Sequence, residues 1–294
     1  MSQTRPPYPQ ITADVGGPVL VIGATGTVGR SVVSQLVDAG VVVRAVTRTP
    51  AAAGLPEGVE VLRADLCQPA TLRACLDGVA AAFLVWPFVT VREANELAPA
   101  VVDAIAQHAS RIVYLSAMAA EQRGSFWAAV ERAIEASGAA WTFLRPSGFA
   151  KNTLLWAEQI RRGDVVRWVY GEAARSLIHE ADIAAVAVRA LTDGDHAGAT
   201  HVLTGPATVT QVEQVQAIGE AISRPLRWEE AAPNVVREEL IAAVGDPSFA
   251  DRALDTWAGF VDEPEAVTST VQDVTGVPAR TFRQWAEDHA AEFK

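Results

Sequence analysis

The chain has 294 residues, half of them apolar, and a formal net charge of -11. This length is enough for one large α/β core, or for one core with a small added lobe. The basic residues are spread along the chain, which disfavours a nucleic-acid partner because binding to a phosphate backbone usually needs a basic face. No segment reaches the roughly 18 uninterrupted apolar residues of a membrane helix, so we expect no membrane partner and a cytoplasmic location.

Residues 1–17 are rich in proline and polar side chains, which predicts a flexible leader. From Val19 onward, short β-branched runs alternate with longer segments of helical period, as is typical of βαβ units and a parallel sheet. The predicted strands cover 19–24, 41–48, 59–65, 80–87, 111–117, 141–146 and 200–205. The predicted helical segments cover 28–39, 69–77, 92–109, 125–137 and 181–192. This order predicts an α/β fold with a Rossmann-type, doubly wound parallel sheet.

After Pro146 the alternation weakens, and scattered Trp, Pro and amphipathic helical patterns take its place. Residues 151–175 and 206–294 are therefore predicted to form a smaller C-terminal substrate lobe. The nucleotide-binding domain would cover 18–150, with a strand and a helix added from 176–205. In an open α/β sheet the ligand crevice lies outside the carboxyl ends of the strands, so a lobe placed there can shape a substrate pocket.

The clearest motif is the GxxGxxG loop GATGTVG at residues 23–29, which follows an apolar strand and opens an amphipathic helix. Gly23 would allow the tight turn, Gly26 the approach of the backbone to a pyrophosphate, and Gly29 the close packing of helix on strand. The helix N-terminus would supply amide donors and partial positive charge to the phosphates. The expected cofactor contacts of this loop are Gly23, Thr25, Gly26, Thr27, Val28 and Gly29.

The second predicted strand ends Thr47-Arg48. An NAD-binding domain usually has Asp or Glu there, to bind the ribose 2′-hydroxyl. A threonine can instead hydrogen bond to a 2′-phosphate and an arginine can pair with it, which predicts NADP(H) as the cofactor. In the alternative, Arg48 is a solvated charge at a strand end.

Asp65 and Leu66 close the third predicted strand, where the adenine is expected. Asp65 could accept a hydrogen bond from the exocyclic amine of the adenine. Equally, Asp65 could cap the helical segment predicted at 69–77.

Seven stretches spread over nearly the whole chain carry a family resemblance. They are GATGTVGR (23–30), GVEVLRADL (58–66), IVYLSA (112–117), AVERAIEASG (129–138), WTFLRPSGFAKN (141–152), LTGPATVT (203–210) and VTGVPARTFRQWAEDHAAEF (274–293). Together they resemble the NmrA-like family of atypical short-chain dehydrogenases/reductases, including its quinone-reductase-like and azoreductase-like bacterial members. The resemblance implies an NADP-binding Rossmann domain with a smaller C-terminal lobe.

The same resemblance implies that the nicotinamide lies near the ends of the fourth and sixth predicted strands. Trp86 and Pro87 would then flank the nicotinamide, Phe88 would line the substrate side, and Ser147 would contact the carboxamide. The family more often has a small or hydroxylated residue where Trp86 stands. In the alternative, Trp86 is ordinary packing under the lobe.

Better-known members of the wider superfamily use a Ser on the fifth strand with a Tyr and a Lys spaced YxxxK on the next helix, and the Tyr protonates a carbonyl. Ser116 could stand for that Ser, but residues 117–140 contain no Tyr, Lys or His. Hydride transfer to an isolated ketone builds alkoxide charge that needs a nearby acid, whereas a quinone spreads the charge over its ring. A quinone, an activated enone or an iminium ion is therefore the favoured acceptor.

Lys151, Asn152 and His179, which follow the sixth strand, are candidates for contacts with the hydride acceptor. Lys151 could polarise a carbonyl or hold the cofactor, or it could be an exposed lysine at a helix start. Asn152 matches a recurrent family position and could donate to the ligand, with Phe149 lining the same pocket. His179 is either an acid for the pocket or a satisfied structural histidine. No HExxH or paired-carboxylate spacing indicates a metal site.

We therefore expect an NADPH-dependent oxidoreductase that transfers hydride to a conjugated or quinonoid small molecule, with Ser116, Lys151 and His179 as its candidate catalytic residues. Two alternatives stay open. One is an NmrA-like regulator that senses the dinucleotide without turnover, and the other is a non-redox tailoring enzyme of secondary metabolism on the same fold. A small-molecule substrate is the expected partner, and a homodimer is compatible with the sequence.

Overall fold

The computed structural model describes residues 15–122 and 124–294, so residues 1–14 of the predicted leader lie outside the described residues. Among the described residues the strands, in chain order, are β1 (Val19–Ile22), β2 (Val43–Thr47), β3 (Glu60–Arg63), β4 (Ala81–Val85), β5 (Arg111–Leu115), β6 (Ala140–Pro146), β7 (Val165–Trp168), β8 (Ala174–Arg175), β9 (Ala199–Leu203), β10 (Val209–Thr210) and β11 (Arg227–Glu230). The α-helices are α1 (Thr27–Asp38), α2 (Val91–Ala106), α3 (Phe126–Ala136), α4 (Ala157–Arg162), α5 (Glu180–Thr192), α6 (Gln211–Ala221), α7 (Pro233–Val244), α8 (Pro247–Asp262), α9 (Thr270–Thr275) and α10 (Phe282–Asp288).

The chain divides into two compact units, each assembled from separate chain segments. Unit 1 contains the described residues up to Pro146, together with Glu180–Leu203 and Thr270–Pro278. Unit 2 contains Ser147–His179, Thr204–Ser269 and Ala279–Lys294. None of the helices in the described part of the chain combines the length and apolarity that a membrane crossing would require.

Unit 1 is built on a seven-stranded sheet in the order β3-β2-β1-β4-β5-β6-β9. Every neighbouring pair of strands in this sheet is parallel. The interior strand β1 is buried along its whole length, because a parallel sheet is covered on both faces. The predicted doubly wound sheet is confirmed, and each strand lies within two residues of its predicted bounds.

Helices cover unit 1 in two pairs, since α1 packs against α5 and α2 packs against α3. One apolar cluster joins Leu20 and Ile22 of β1 to Ala98 and Val102 of α2 and to Val130 of α3. Because side chains alternate along a strand, the other β1 side chains point to the opposite face of the sheet. The carboxyl ends of the parallel strands all meet at one edge, where each strand runs into a loop.

The segment predicted as helical at 69–77 is a short 3-10 helix over Pro69–Cys75. Pro69 begins it, and the Thr71 hydroxyl donates to the carbonyl oxygen of Gln68 at 2.8 Å. A side chain that bonds to nearby backbone competes with the α-helical ladder, and 3-10 geometry suits so short a connection. The β3–β4 connection is therefore tighter than an α-helix would make it.

Unit 2 has two small two-stranded sheets, β11-β7 and β10-β8, among helices. Its apolar core contains Trp156, Trp168, Ile218 and Trp285. The helix α6 begins with a reciprocal capping box, in which the side chains of Thr210 and Glu213 bond to each other's backbone amides. These strands were not predicted, because two- and four-residue strands carry little periodicity.

Two histidines of unit 1 form a pair that makes stability depend on pH. The Nδ1 of His196 lies 3.2 Å from the Nε2 of His201, and burial lowers the pKa of both. A contact between two ring nitrogens needs one N–H and one lone pair, so it is lost when both rings are protonated. With a folded-state pKa below the unfolded value, the unfolded chain binds protons first as the pH falls below about 6.5.

We therefore expect the free energy of unfolding to decrease between pH 7.5 and pH 5.5, and the decrease to be smaller in His201→Gln. Urea denaturation at the two pH values measures it. His108, an exposed histidine, provides the matched control in His108→Gln, which should keep the pH dependence of the parent protein. An equal pH dependence in all three proteins would contradict the prediction.

Candidate functional site

The loop between β1 and α1 is shaped by glycines that no other residue can replace without clashes. Gly23 has a φ of +82°, and a Cβ there would lie 2.7 Å from the Cβ of Val85. A Cβ on Gly29 would lie 2.1 Å from the carbonyl oxygen of Gly23. The amide of Gly26 donates to that same oxygen at 3.0 Å. The loop is thus closed on itself, with the start of α1 packed against its first residue.

The N-terminus of α1 is open to an anion. Gly26 is its N-cap residue, no side chain caps it, and its first turn holds no acidic residue. The first amides of a helix lack partners inside the helix, and together with the helix dipole they favour a phosphate. The residues therefore fit the pyrophosphate of a dinucleotide, which Thr27 and Val28 would hold by their backbone amides, while Gly26 lets the phosphate come close to the backbone.

Arg30, which the sequence analysis did not select, fastens this loop to the chain that follows β2. Its Nε donates to the carbonyl oxygen of Thr25 at 3.0 Å. Its Nη1 and Nη2 donate to the carbonyl oxygens of Gly54 and Ala53, at 2.8 and 2.7 Å. Arg30 closes the GATGTVGR stretch, but its partners around residue 53 are not adjacent in sequence. Its guanidinium positions backbone and is not free to serve as the cation for a 2′-phosphate.

The residues predicted at the end of β2 lie in the open. Arg48 is exposed and makes no hydrogen bond or ion pair with any described residue. Thr47 accepts a hydrogen bond on its hydroxyl from the amide of Thr49 at 3.2 Å, which leaves the hydroxyl proton available. The end of β2 therefore offers a ligand the unpaired guanidinium of Arg48 and the hydroxyl proton of Thr47, and neither residue is a carboxylate.

The Asp65 carboxylate accepts from the amide of Cys67 at 3.0 Å. The N-cap residue of the following 3-10 helix is Gln68, so Asp65 stabilises the turn before that helix and does not cap it. Leu66 is buried in the apolar cluster of unit 1.

Trp86 follows β4 and is almost completely buried, with its ring edge-on to Phe88 at 5.2 Å between centroids. Its Nε1 is buried without a hydrogen-bond partner among the described residues. Pro87 beside it is exposed. A buried indole N–H without an acceptor costs free energy, which distinguishes Trp86 from a purely apolar packing residue.

Ser116, at the end of β5, belongs to a buried ionic network. Its hydroxyl donates to Oε1 of Glu131 at 2.6 Å. The guanidinium of Arg145 binds the same carboxylate with two hydrogen bonds, from Nε at 3.0 Å and from Nη2 at 2.7 Å. These hydrogen bonds raise the pKa of Arg145, since they favour its charged form. The Ser116 hydroxyl proton is therefore held by an ionised carboxylate, and the oxygen is left to accept.

Tyr114, the phenol nearest to this network, does not replace the absent tyrosine of YxxxK. It is fully buried and its hydroxyl has no hydrogen-bond partner among the described residues. Burial, with a smaller contribution from Glu131, raises the pKa of Tyr114 far above its ordinary value. Its ring packs in the apolar cluster of unit 1, and the described part of unit 1 contains no other tyrosine.

The chain enters unit 2 at Ser147, directly after β6. The Ser147 hydroxyl donates to the carbonyl oxygen of Ser176 at 2.6 Å. Lys151 is half-buried and makes no hydrogen bond or ion pair with a described residue. His179 is buried, with its Nε2 3.3 Å from a carboxylate oxygen of Asp288 and its ring 5.6 Å from that of His289.

Unit 2 contains a small cleft that is partly open to solvent. Its lining includes Phe149 and Asn152, which were both predicted to contact substrate. Its apolar walls are Phe149, Leu155, Trp156, Trp168, Leu177 and Trp257. Its polar lining is Asn152, Thr153, Arg175, Gln211 and Gln214. Apolar and polar side chains thus line this cleft in nearly equal number.

Comparison with known proteins identifies the family. A family model described as NAD(P)H-binding matches residues 23–194, which include the phosphate loop and all of the strands from β2 to β8. The chain belongs to this NAD(P)H-binding family. The predicted resemblance to atypical short-chain dehydrogenases/reductases is thereby confirmed, and so is the predicted dinucleotide cofactor.

Within the family, the chain is 38% identical to the (4-alkanoyl-5-oxo-2,5-dihydrofuran-3-yl)methyl phosphate reductase of Streptomyces griseus, over 94% of this chain and 99% of the relative. It is 34% identical to the NAD(P)H azoreductase of Xenophilus azovorans, over 94% and 99%. The structure of Citrobacter sp. triphenylmethane reductase complexed with NADP(H) shares the fold, with a TM-score of 0.77, 20% identity and coverage of 93% and 99%. The chain is an NAD(P)H-dependent oxidoreductase that reduces a small molecule, as predicted.

Proposed function

We propose that this reductase uses NADPH in preference to NADH and transfers hydride to a polarised, conjugated double bond. The cofactor preference rests on Arg48, a cation at the end of β2 that is exposed and unpaired among the described residues. A 2′-phosphate would pair with Arg48 and accept from the free hydroxyl proton of Thr47. An NADH ribose offers that guanidinium no charge to bind.

The class of hydride acceptor is inferred from the side chains that could donate a proton to the reduced substrate. The Ser116 hydroxyl donates to Glu131 and the Tyr114 hydroxyl is buried in the apolar cluster of unit 1, so neither takes the place of the YxxxK tyrosine as a proton donor to a developing alkoxide. When bound, the nicotinamide supplies a hydride. A conjugated acceptor delocalises the resulting negative charge and takes its proton from water, so the missing acid matters least for that class.

The names of the relatives support the same class. The Streptomyces griseus relative is named for a dihydrofuranone with an alkanoyl substituent, and the Xenophilus azovorans relative for an azo compound. The first name describes a ring double bond next to carbonyl groups, and the second an N=N double bond. We assign Ser116 the role of a hydrogen-bond acceptor for the ligand and His179, bonded to Asp288, a structural role.

The experiment follows the nicotinamide absorbance of NADPH while a quinone, an enone, an azo dye and an unconjugated ketone are added in turn. We expect turnover of the conjugated acceptors and none of the ketone. Turnover of the ketone at a similar rate would overturn the proposed acceptor class. Tight NADPH binding without turnover of any acceptor would favour the dinucleotide-sensing regulator.

Replacing Arg48 with alanine should lower the affinity for NADPH by at least about tenfold and leave the affinity for NADH unchanged, because one charge-assisted contact to a phosphate contributes roughly 1.5–3 kcal/mol. Fluorescence titration with each dinucleotide measures both affinities. Arg92→Ala removes an equally exposed arginine whose ion pair joins it only to Glu96, and it should change neither affinity. A parallel loss of both dinucleotides in Arg48→Ala would mean that Arg48 acts on the fold and not on the 2′-phosphate.

The homodimer and the cytoplasmic location stay predictions from the sequence. Sedimentation velocity of the purified protein tests the homodimer, and fractionation of the producing cells tests the location.

A further inference from the structure

The histidine pair of unit 1, His196 and His201, brings two ring nitrogens together. His196 ends a short 3-10 helix, Gly194–His196, and His201 lies in β9, an edge strand of the sheet. The Nδ1 of His196 lies 3.2 Å from the Nε2 of His201. The ring centroids lie 5.2 Å apart, and the ring planes are at 74° to each other. These values can be compared with the geometry of a metal ion that binds two imidazoles.

The separations in this pair agree with those of two ligands on one tetrahedral ion. Two imidazole nitrogens bound to Zn²⁺ at about 2.0–2.1 Å are about 3.3 Å apart at the tetrahedral angle, and the centroids of their rings are about 5.2 Å apart. Rings that faced each other head-on at the nitrogen separation of His196 and His201 would have their centroids farther apart than is observed. The two rings are therefore tilted away from a head-on contact, as the two ligands of one ion are.

The second pair of neighbouring histidines, His179 and His289 in unit 2, is engaged differently. Their ring centroids are 5.6 Å apart. The Nε2 of His179 lies 3.3 Å from a carboxylate oxygen of Asp288, and the Nδ1 of His289 lies 2.9 Å from the carbonyl oxygen of Trp285. One nitrogen of each ring is thus held by a group other than the neighbouring imidazole. His289 and the exposed His108 therefore provide controls for the pair in unit 1.

Both imidazoles of the pair favour the protonation state that a metal ion binds. Burial lowers the pKa of each ring, which favours the neutral form, and a neutral imidazole nitrogen is a common metal ligand. The contact between the rings uses the Nδ1 of His196 and the Nε2 of His201, so the other nitrogen of each ring can take the proton that an ion displaces. One ring then changes its tautomer, and the pair neither gains nor loses a proton.

The charges around His196 are of both signs. Asp193 and Asp195 act to raise its pKa against the larger effect of burial, while Arg111 and Arg189 act to lower it. Arg189 pairs with Asp193 at 3.6 Å, and Arg111 donates to three carbonyl oxygens at and just after the end of α5. Both arginines are thus engaged, and the exposed carboxylate of Asp195 is left to attract a cation toward the pair.

The pair supplies two ligands and not a closed set. In the described part of the chain, no group of three His, Cys, Asp or Glu side chains could hold a metal ion. Water would therefore fill the remaining positions of a tetrahedral ion, and binding would be weaker than in a closed four-ligand site. Imidazole suits Zn²⁺, Ni²⁺ and Cu²⁺, whereas Mg²⁺ and Ca²⁺ prefer oxygen ligands.

We propose that His196 and His201 form a binding site for a divalent transition-metal ion, and that this ion stabilises unit 1 and takes no part in hydride transfer. The strand β9 is four strands away from β1 and its glycine loop, about 19 Å across the sheet. His196 precedes the amino end of β9, whereas a dinucleotide binds at the carboxyl ends of the strands. An ion that binds only the folded chain stabilises it by mass action. This inference does not rest on the proposed function.

Calorimetric titration of the full chain with Zn²⁺, after removal of other metals, tests the site. We expect one Zn²⁺ per chain, bound at least about tenfold more weakly in His196→Gln and in His201→Gln, because each variant removes one of the two ligands. His108→Gln and His289→Gln should bind Zn²⁺ like the parent protein. Absence of binding by the parent protein at millimolar Zn²⁺, or equal affinity in the parent protein and His201→Gln, would overturn the proposal.

Two further measurements separate a metal site from an effect on folding. Co²⁺ in a tetrahedral site absorbs visible light far more strongly than hydrated Co²⁺, so the parent protein should gain a visible band that His201→Gln lacks. A spectrum like that of hydrated Co²⁺ would overturn the tetrahedral site. Zn²⁺ should raise the thermal midpoint of the parent protein and of His108→Gln by a few degrees, but not that of His201→Gln. NADPH affinity should be the same with and without Zn²⁺, and a loss that His201→Gln abolishes would overturn the separation of the ion from the cofactor site.

Discussion

Replacing Gly29 with alanine should reduce NADPH affinity at least about a hundredfold, a loss of roughly 2.7 kcal/mol. The added Cβ would lie 2.1 Å from the carbonyl oxygen of Gly23 and 2.7 Å from its carbonyl carbon. Both atoms belong to the backbone of the loop, so they cannot move aside as a side chain could. The start of α1 would have to shift away from β1, and its free amides would no longer converge on the pyrophosphate. Fluorescence titration with NADPH measures the loss.

Gly194→Ala is the matched control, because a Cβ at Gly194 meets no atom within 4 Å. It should bind NADPH like the parent protein. Overpacking also destabilises, by roughly 1–3 kcal/mol, so a thermal melt of Gly29→Ala should show a folded protein with a lower midpoint. NADPH affinity within twofold of the parent value in a folded Gly29→Ala would contradict the role of this loop.

Replacing Glu131 with leucine should lower the free energy of unfolding by roughly 3 kcal/mol, the usual cost of breaking a buried ion pair by removing one partner. The change leaves the half-buried Arg145 without its two hydrogen bonds, and it leaves the buried hydroxyl of Ser116 without an acceptor. Urea denaturation, with the slope compared to exclude a change in the unfolded state, measures the difference.

Glu121 provides the control within the same network. It lies 3.9 Å from Nη1 of Arg145, but its side chain is 70% exposed. Exposed ion pairs contribute about 0–1 kcal/mol, so Glu121→Gln should be nearly neutral. The loss of unfolding free energy in Glu131→Gln should lie between those of Glu121→Gln and Glu131→Leu, since the glutamine can still accept from Ser116 but carries no charge. A Glu121→Gln effect as large as that of Glu131→Leu would show that burial does not decide the strength of this pair.

The sheet of unit 1 could be predicted because its strands are local patterns. A run such as Val19–Ile22, apolar on both faces and followed by a glycine loop, is visible without knowing its neighbours. The phosphate loop could be predicted for the same reason, since Gly23, Gly26 and Gly29 stand within seven residues.

The polar networks could not be predicted, because their members are far apart in sequence. Glu131 meets Arg145 only when α3 and β6 have packed, and Arg175 meets Glu265 across 90 residues. The YxxxK spacing is absent from α3, which contains neither Tyr nor Lys, and no sequence pattern marks a glutamate on that helix as a partner of Ser116. The role of Arg30 could not be predicted for a related reason. Its three partners are backbone carbonyl oxygens, which every residue type has, so no residue pattern identifies them.

Unit 1 is assembled from three separate chain segments, which limits how early it can fold during synthesis. The chain passes between the two units after residues 146, 179, 203, 269 and 278. While a nascent chain emerges from the ribosome, β6 is an open sheet edge until β9 is synthesised, and α9, which packs on α5 and β9, arrives only near the end. Exposed strand edges can pair with strands of other chains, so unit 1 is prone to aggregation while it is being translated. Unlike a domain encoded in one stretch, unit 1 is complete only when residues 270–278 have been synthesised.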